Sequence, residues 1–222
     1  MKRFGLTPLL VMAAIATAML VAARFAPHFP GDVAVSRFIQ GVAPPGDWAR
    51  ALTRAAYAPW IYGVLAVSAV AALRVAGWRG AAAMSLTFFA LMYVEQGMKG
   101  YIARPRPSAA AMDATGAQMS VGTGMTAMAP AAPVSYSMPS GWALLFGATV
   151  GLLAVLAWRN TRGTVRAAYL IGCSIVLLAG LAARVSLGAH WPSDVIVGYL
   201  LAITIGLALF ELLTAPMSRR RS

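Results

Sequence analysis

The sequence contains few charged residues. Asp, Glu, Lys and Arg make up 11% of its 222 residues, whereas a soluble globular domain carries roughly a quarter. Hydrophobic residues make up 60%, and the mean hydropathy is +0.73. These proportions exclude an ordinary soluble domain. Several apolar runs are long enough to cross a bilayer, so the chain is predicted to be a polytopic membrane protein.

Acidic residues and cysteine are scarcer still. Six Asp and Glu stand against 18 Lys and Arg, which gives a formal net charge of +12. In a soluble protein this charge would indicate nucleic-acid binding. Here the basic residues lie between apolar runs, so membrane orientation and anionic lipid explain them better, and we expect no nucleic-acid partner. The single Cys173 excludes an intrachain disulfide and does not indicate a redox compartment.

The apolar runs predict an all-α protein with six transmembrane helices. The first run, residues 4–23, is long enough to span, although Ala16-Thr17-Ala18 also resembles a signal-peptide cleavage site. We expect it to be retained as a helix. The other predicted spans begin at residues 55, 80, 141, 167 and 195, and the first four of these end at residues 73, 98, 158 and 183. The last covers residues 195–210 and runs on past Glu211. We predict a single membrane domain over residues 1–222, without an internal repeat.

Two connecting segments differ from the spans. Residues 24–54 mix apolar and charged residues with four prolines, which predicts an interfacial segment lying on the bilayer surface. Residues 107–138 form one long loop rich in Ala, Met, Gly, Ser and Thr. Loops of this length are usually functional lids or disordered. Its methionines also suit an adaptable apolar surface that meets a lipid tail.

The basic residues predict the orientation of the chain. With six spans, one side of the membrane carries Lys2 and Arg3, the basic connections after the second and fourth spans, and the tail Arg219-Arg220-Arg221. The positive-inside rule makes this side cytoplasmic. The long loop and residues 184–194 then face outward. In a bacterium this places them on the periplasmic or exterior side of the inner membrane.

Polar residues lie at three span ends on the predicted outer side. Lys99 and Arg106 flank the end of the third span, where two prolines end the helix and let both cations face one pocket. Ser140 and Gly141 open the fourth span, where a helix N-terminus offers free N–H groups to an anion. Each feature alone has a structural explanation, as a snorkelling cation or an ordinary helix start. Because these residues all lie at span ends on the same side of the membrane, one shared site is favoured over separate structural roles.

The third polar segment contains Arg184, His190 and Asp194. Pro192 fits the first turn of a helix, so His190 and Asp194, four residues apart, share one face. Asp194 can then accept a hydrogen bond from one imidazole nitrogen and leave the other as a nucleophile. The alternative to an oriented nucleophile is a solvent-exposed interhelical loop in which the aspartate caps a helix. Three cations, a helix N-terminus and an oriented histidine together describe a phosphate site.

These segments resemble the motifs of the type 2 phosphatidic acid phosphatase family, the membrane branch of the vanadium haloperoxidase and acid phosphatase superfamily. The family's first motif is Lys, six residues, Arg-Pro, which Lys99 to Arg106-Pro107 matches. Its third motif is Ser-Arg, five residues, His, three residues, Asp, which Arg184, His190 and Asp194 match, with alanine where Ser is usual. Its second motif, Pro-Ser-Gly-His, is matched except that Trp142 takes the last place. The resemblance implies a phosphatase-like core over about residues 80–213.

The resemblance implies a role for each matching position. His190 would attack phosphorus and form a phosphohistidine, and Asp194 would orient it. No metal or cofactor is implied, and the expected partners are the bilayer and a membrane phospholipid or polyprenyl phosphate substrate at the outer face. The phosphate oxygens would be held by Lys99, Arg106, Ser140, the Gly141 N–H and Arg184.

Trp142 departs from the family pattern where a histidine is taken to protonate the leaving oxygen. An indole N–H does not release its proton near pH 7, and loss of a general acid costs about 10²- to 10⁴-fold in rate. Three alternatives follow. In the first, the leaving group needs no acid, as in a polyprenyl diphosphate such as the undecaprenyl carrier. In the second, Tyr136 or Asp113 in the long loop supplies the proton. In the third, the protein is an inactive lipid-phosphate-binding or transport protein.

We favour the hydrolase of a diphosphate. A pure binder needs neither a nucleophilic His190 nor its partner Asp194. A phosphotransferase that passes phosphate from the phosphohistidine to a lipid acceptor is a second enzymatic alternative.

Overall fold

The computed structural model describes residues 5–107 and 136–215. In these two ranges the regular structure is entirely helical, so the predicted all-α class is confirmed. Five of the helices are long and apolar enough to cross a membrane, which supports a multi-pass membrane protein. The helices are α1 Leu6–Ala23, α2 Asp32–Val42, α3 Asp47–Arg54, α4 Trp60–Ile102, α5 Gly141–Asn160, α6 Gly163–Ser186 and α7 Pro192–Thr214.

Helix α4 contains both the second and the third predicted span. Its 43 residues would extend about 65 Å as a straight helix, roughly twice the hydrocarbon thickness of a bilayer. Gly77 departs from helical geometry with φ 70° and ψ −174°, a conformation that glycine adopts readily. The rings of Tyr62 and Phe88 lie 6.5 Å apart between centroids. The two arms, residues 60–76 and 78–102, therefore fold back on each other at Gly77.

The predicted count of six separate helices is thus not exact. The structure has five candidate spanning helices among the residues it describes, because the second and third predicted spans are arms of one element that is bent at Gly77 and not separated by a loop. The remaining predicted spans correspond to α1, α5, α6 and α7, with ends that differ by a few residues.

Helix α5 is the centre of the core and contains a π-helical turn at Gly147–Gly151. It is largely buried, whereas α1 and α6 expose most of their apolar side chains. Small residues let α5 and α7 approach closely. A Cβ added at Gly147 would lie 2.9 Å from the Cβ of Ala202, and one at Gly198 would lie 2.7 Å from that of Ala143. Such contacts between small residues are typical of helices packed in membranes.

The predicted interfacial segment forms α2 and α3, and α3 packs against α6. Phe25, Phe38 and Val42 are exposed, which suits a position at a membrane surface. Asp32, in contrast, is buried. The segment therefore covers one end of the helix bundle as well as presenting apolar side chains outward.

Four helix ends meet beneath α2 and α3: the C-termini of α4 and α6 and the N-termini of α5 and α7. These ends carry the polar segments that the sequence motifs identify. The bend at Gly77 and the connection between α5 and α6 lie at the other end of the bundle. Most of the predicted loop, including Asp113, lies outside the described residues.

Candidate active site

The four helix ends line a pocket of about 100 Å³ that is partly open to solvent. Six of the eight predicted site residues line it, whereas Ser140 and Asp194 are fully buried beside it. The structure therefore brings the three sequence motifs together at one place. The pocket is lined by Thr53, Ala56, Tyr57, Glu95, Lys99, Arg106, Gly141, Trp142, Leu145, Arg184 and His190.

Three cations from two separate segments, the end of α4 and the end of α6, face this pocket. Lys99 forms an ion pair with Glu95, with 2.5 Å between Nζ and Oε1. Arg106 donates a hydrogen bond to the Ala189 carbonyl at 2.7 Å, and burial lowers the pKa of its guanidinium below the ordinary value. Arg184 donates to the Thr53 hydroxyl at 3.3 Å, while its buried Nε has no hydrogen-bond partner among the described residues. This concentration of positive charge suits a phosphate dianion.

Helix α5 begins at the pocket with Ser140 as its N-cap, in an extended conformation, and Gly141 as its first residue. The Ser140 hydroxyl is buried and has no hydrogen-bond partner in the part of the chain that the structure describes. Buried hydroxyls in folded proteins nearly always have one, so this donor fits a ligand oxygen at the helix N-terminus. A Cβ at position 141 would collide with the Glu95 carboxylate in its present position, so this carboxylate lies directly against the start of α5.

His190 is buried, and its Nδ1 lies 2.7 Å from the Ser137 carbonyl oxygen. A carbonyl only accepts hydrogen bonds, so Nδ1 carries the proton and Nε2 is left with a lone pair. Burial lowers the pKa of His190 from 6.5 to about 4; Asp194 opposes this shift, and the cations Arg184 and Arg106 add to it. The imidazole is therefore neutral at physiological pH, as a nucleophile must be.

The contact between His190 and Asp194 differs from the predicted hydrogen bond. Asp194 Oδ2 lies 3.8 Å from Nδ1, beyond hydrogen-bond distance, because the Ser137 carbonyl occupies that donor. Asp194 Oδ2 instead accepts the backbone N–H of Trp191 at 2.8 Å and caps α7. Asp194 therefore acts on His190 through its charge.

A buried ionic network holds Asp194 in place. Arg104 is 1% exposed and pairs with Asp194 at 2.5 Å and with Asp32 at 2.9 Å. It also donates to the Ser193 hydroxyl at 2.9 Å, and that hydroxyl donates to Asp32 at 2.7 Å. Two carboxylates and one guanidinium thus join α2, the end of α4 and the start of α7. Breaking a buried ion pair by removing one partner is strongly destabilising.

Trp142 forms part of the pocket wall, and its indole N–H donates a hydrogen bond within the protein. The indole Nε1 donates to the Leu52 carbonyl at 2.9 Å. Its ring stacks on Phe146 with 3.8 Å between centroids and 5° between planes. The outer edge of its six-membered ring lies against Gly180, where a Cβ would collide with it. Trp142 therefore anchors α3 to α5.

The structure also shows which of the other candidate proton donors for the leaving oxygen lie at the pocket. Tyr136 does not line the pocket, and Asp113 lies outside the described residues. Glu95 lines the pocket, although none of the sequence motifs includes it. Its position four residues before Lys99, on the same helix face, is the signal that could have identified it. No local sequence pattern indicates the pairing of Asp32 with Arg104, because the two residues lie 72 positions apart in the chain.

Comparisons with known proteins identify the family. A model of the PAP2 superfamily matches residues 80–217, which is more than half of the chain, whereas the search of curated proteins found no match. A solved structure with a similar fold is that of a transmembrane PAP2-type phosphatidylglycerolphosphate phosphatase from Bacillus subtilis. The two chains are 16% identical over 90% of this chain and 93% of that one, with a TM-score of 0.61. The chain therefore belongs to the PAP2 superfamily, as its motifs predict.

Proposed function

We propose that the protein is a membrane lipid phosphatase that removes phosphate from a lipid phosphate or diphosphate through a phosphohistidine on His190. One observation carries the proposal: a buried, neutral histidine faces the same pocket as three cations and the N-terminus of α5. Membership of the PAP2 superfamily supports a hydrolase of lipid phosphoric esters. The protein of similar fold from Bacillus subtilis is a phosphatidylglycerolphosphate phosphatase, which supports a lipid phosphate as substrate.

The pocket geometry supports a two-step displacement. Lys99, Arg106 and Arg184 balance the charge of the phosphate, and the Ser140 hydroxyl and the Gly141 N–H bind its oxygens. His190 Nε2 attacks phosphorus, and the bond to the leaving oxygen breaks. The resulting phosphoimidazolium is positively charged, and the carboxylate of Asp194 at 3.8 Å stabilises it. Water then attacks phosphorus, phosphate leaves and His190 regains its lone pair.

We favour a polyprenyl diphosphate, such as the undecaprenyl carrier, as the substrate. The N–H of Trp142 is committed to Leu52, so this residue gives no proton to a leaving oxygen. A diphosphate releases a lipid phosphate, which is a far weaker base than an alkoxide and depends less on an acid.

The proposed location is the periplasmic or exterior face of a bacterial inner membrane. The pocket lies at the end of the bundle opposite Arg159, Arg162 and Arg166, which belong to the predicted cytoplasmic side. In this orientation a lipid headgroup in the outer leaflet lies at the level of the pocket.

Phosphate release by the purified protein tests the proposal. We expect turnover of polyprenyl diphosphates and slower turnover of lipid monophosphates, with none by His190→Ala. Radiolabel from the substrate phosphate should appear on the protein in the wild type and not in this variant. Label that passes to a lipid alcohol and not to water would indicate a phosphotransferase. Tight lipid-phosphate binding without turnover of any substrate would refute the proposal in favour of a binding protein.

A further inference from the structure

Glu95 is a carboxylic acid in the pocket that the proposed mechanism does not use. Among the described residues that line the pocket, it is the one Asp or Glu. It lies on the second arm of α4, one turn before Lys99, and its side chain is 15% exposed. One carboxylate oxygen contacts Lys99, and in its present position the group would collide with a Cβ at Gly141.

The position of this carboxyl group matches the position of the missing acid. Gly141 is the residue before Trp142, so Glu95 lies beside the part of α5 where the family places its histidine. The carboxylate also lies at the N-terminus of α5 and on Lys99, the groups proposed to hold phosphate oxygens. Phosphate in the pocket would therefore lie directly against Glu95.

We propose that Glu95 is the proton donor to the leaving group, in place of the histidine that Trp142 replaces. This inference rests on the proposed lipid phosphatase activity. A phosphate that enters the pocket competes with Glu95 for Lys99 and places two anions side by side. Two anionic groups that share one site are stable together when they share a proton. The proton that a phosphate monoanion carries can therefore pass to the Glu95 carboxyl group.

The proposed steps conserve atoms and charge. As His190 Nε2 forms its bond to phosphorus, the bond from phosphorus to the leaving oxygen breaks, and this oxygen takes the bonding electron pair. The proton of the Glu95 carboxyl group moves to that oxygen, which leaves Glu95 as a carboxylate. In the second step a water oxygen attacks phosphorus and the Glu95 carboxylate takes a proton from it. The bond from nitrogen to phosphorus breaks and restores the lone pair of His190. The proton on Glu95 leaves with the released phosphate, so Glu95 returns to the carboxylate that pairs with Lys99.

This role extends the substrate range of the pocket. A monophosphate ester leaves as an alkoxide, which needs a proton, whereas a diphosphate leaves as a weakly basic phosphate. With Glu95 present, the enzyme should hydrolyse both. Without its proton, the enzyme should retain only the diphosphate activity that we predict for a pocket without an acid.

Glu95→Gln tests the inference, because glutamine has nearly the same shape and carries no transferable proton. We expect kcat for a lipid monophosphate to fall by roughly 10²- to 10⁴-fold. The kcat for a diphosphate should fall by less than about 10-fold, and KM should stay equal or decrease because Lys99 is released from its ion pair. An aryl monophosphate with a good leaving group should behave like the diphosphate.

Glu211→Gln is a matched control at the other end of the bundle. Glu211 forms a similarly buried ion pair with Arg159 at 2.7 Å, and its substitution should change neither activity. Equal losses on both substrates in Glu95→Gln would reduce Glu95 to a structural role and overturn the inference. Faster turnover of both substrates in Glu95→Gln would show that the carboxylate only obstructs the pocket. Tyr57 also lines the pocket. A selective loss of monophosphate turnover in Tyr57→Phe, but not in Glu95→Gln, would assign the proton to the Tyr57 hydroxyl. Absence of all turnover in the wild type would instead refute the proposed function itself.

Discussion

Replacement of Asp194 by Asn should separate the structural effect of this carboxylate from its catalytic effect. Asp194 is fully buried and accepts hydrogen bonds from Arg104 and from the Trp191 N–H. Asparagine can keep the second bond with its carbonyl oxygen, but it then turns its amide group toward Arg104. Loss of a hydrogen bond to a charged group costs about 1.5–3 kcal/mol of unfolding free energy. The midpoint of thermal unfolding should therefore fall by roughly 3–12 °C.

Asp32→Asn provides the matched comparison. Asp32 binds the same guanidinium from the opposite helix, at 2.9 Å, so its substitution should lower the thermal midpoint by a similar amount. Its carboxylate binds Arg104 and Ser193 rather than His190. The folded fraction of this variant should therefore keep a kcat within about 10-fold of the wild-type value, which corresponds to less than about 1.4 kcal/mol of barrier.

Asp194→Asn should lower kcat much further. Its carboxylate lies 3.8 Å from His190 Nδ1, and two unit charges at about 4 Å interact by about 4 kcal/mol at an effective dielectric constant of about 20. Arg104 neutralises part of this charge, so we expect a loss of about 2–4 kcal/mol in stabilisation of the phosphoimidazolium. This corresponds to a decrease in kcat of roughly 30- to 1,000-fold.

Phosphate release and thermal unfolding in the same detergent preparation measure both effects. Rates should be compared well below the unfolding midpoint of each variant and per folded molecule. Equal decreases in kcat for the two variants would refute the charge effect and limit Asp194 to holding the fold. A wild-type kcat in a folded Asp194→Asn protein would do so as well.

Three further predictions concern pH, Trp142 and topology. The proposed nucleophile is neutral His190, and burial lowers its pKa to about 4. The kcat/KM should therefore persist as pH falls through 6.5 and decline near pH 4, whereas a decline centred near pH 6.5 would contradict the buried site. The stability that His190 contributes above pH 6.5 should be lost between pH 6.5 and 4, measured as a falling thermal midpoint. In a protein that already carries Glu95→Gln, Trp142→His should raise kcat/KM for monophosphates more than for diphosphates, and it should lower the thermal midpoint because the stack on Phe146 is lost. An equal change for both substrates would argue against a proton-donor position. The thiol of a Ser120→Cys variant should react with an impermeant reagent once the outer membrane is permeable, and reaction only after the inner membrane is opened would reverse the predicted orientation.

The parts of the structure that can be predicted from the sequence depend on local length and spacing. A run of about 20 apolar residues fits the bilayer whatever its neighbours are, so the spans can be located to within a few residues. The site follows from helix ends: Lys99 and Arg106 flank a helix stop, Ser140 and Gly141 a helix start. Polar residues at the ends of spans on one side meet at one membrane surface, so these residues line or adjoin one pocket.

The parts that cannot be predicted depend on tertiary contacts. The sequence indicates a turn near Gly77, but not that the two arms remain one element. The buried pairing of Asp32 with Arg104 depends on how the segment before α2 returns to the bundle. The hydrogen bond of His190 depends on the path of residues 137–139, which brings a carbonyl closer to Nδ1 than the Asp194 carboxylate.

Trp142 connects these local and tertiary features. Its N–H binds the Leu52 carbonyl, and the next residue, Thr53, accepts a hydrogen bond from Arg184. The tryptophan thus fixes the α3 wall that positions one of the three proposed phosphate-binding cations, a function that a histidine with its proton directed into the pocket would not provide. For a leaving group that needs a proton, a pocket built in this way must take that proton from another element. The second arm of α4 places Glu95 against the start of α5. Glu95 therefore lies next to Trp142, which cannot act as the proton donor itself.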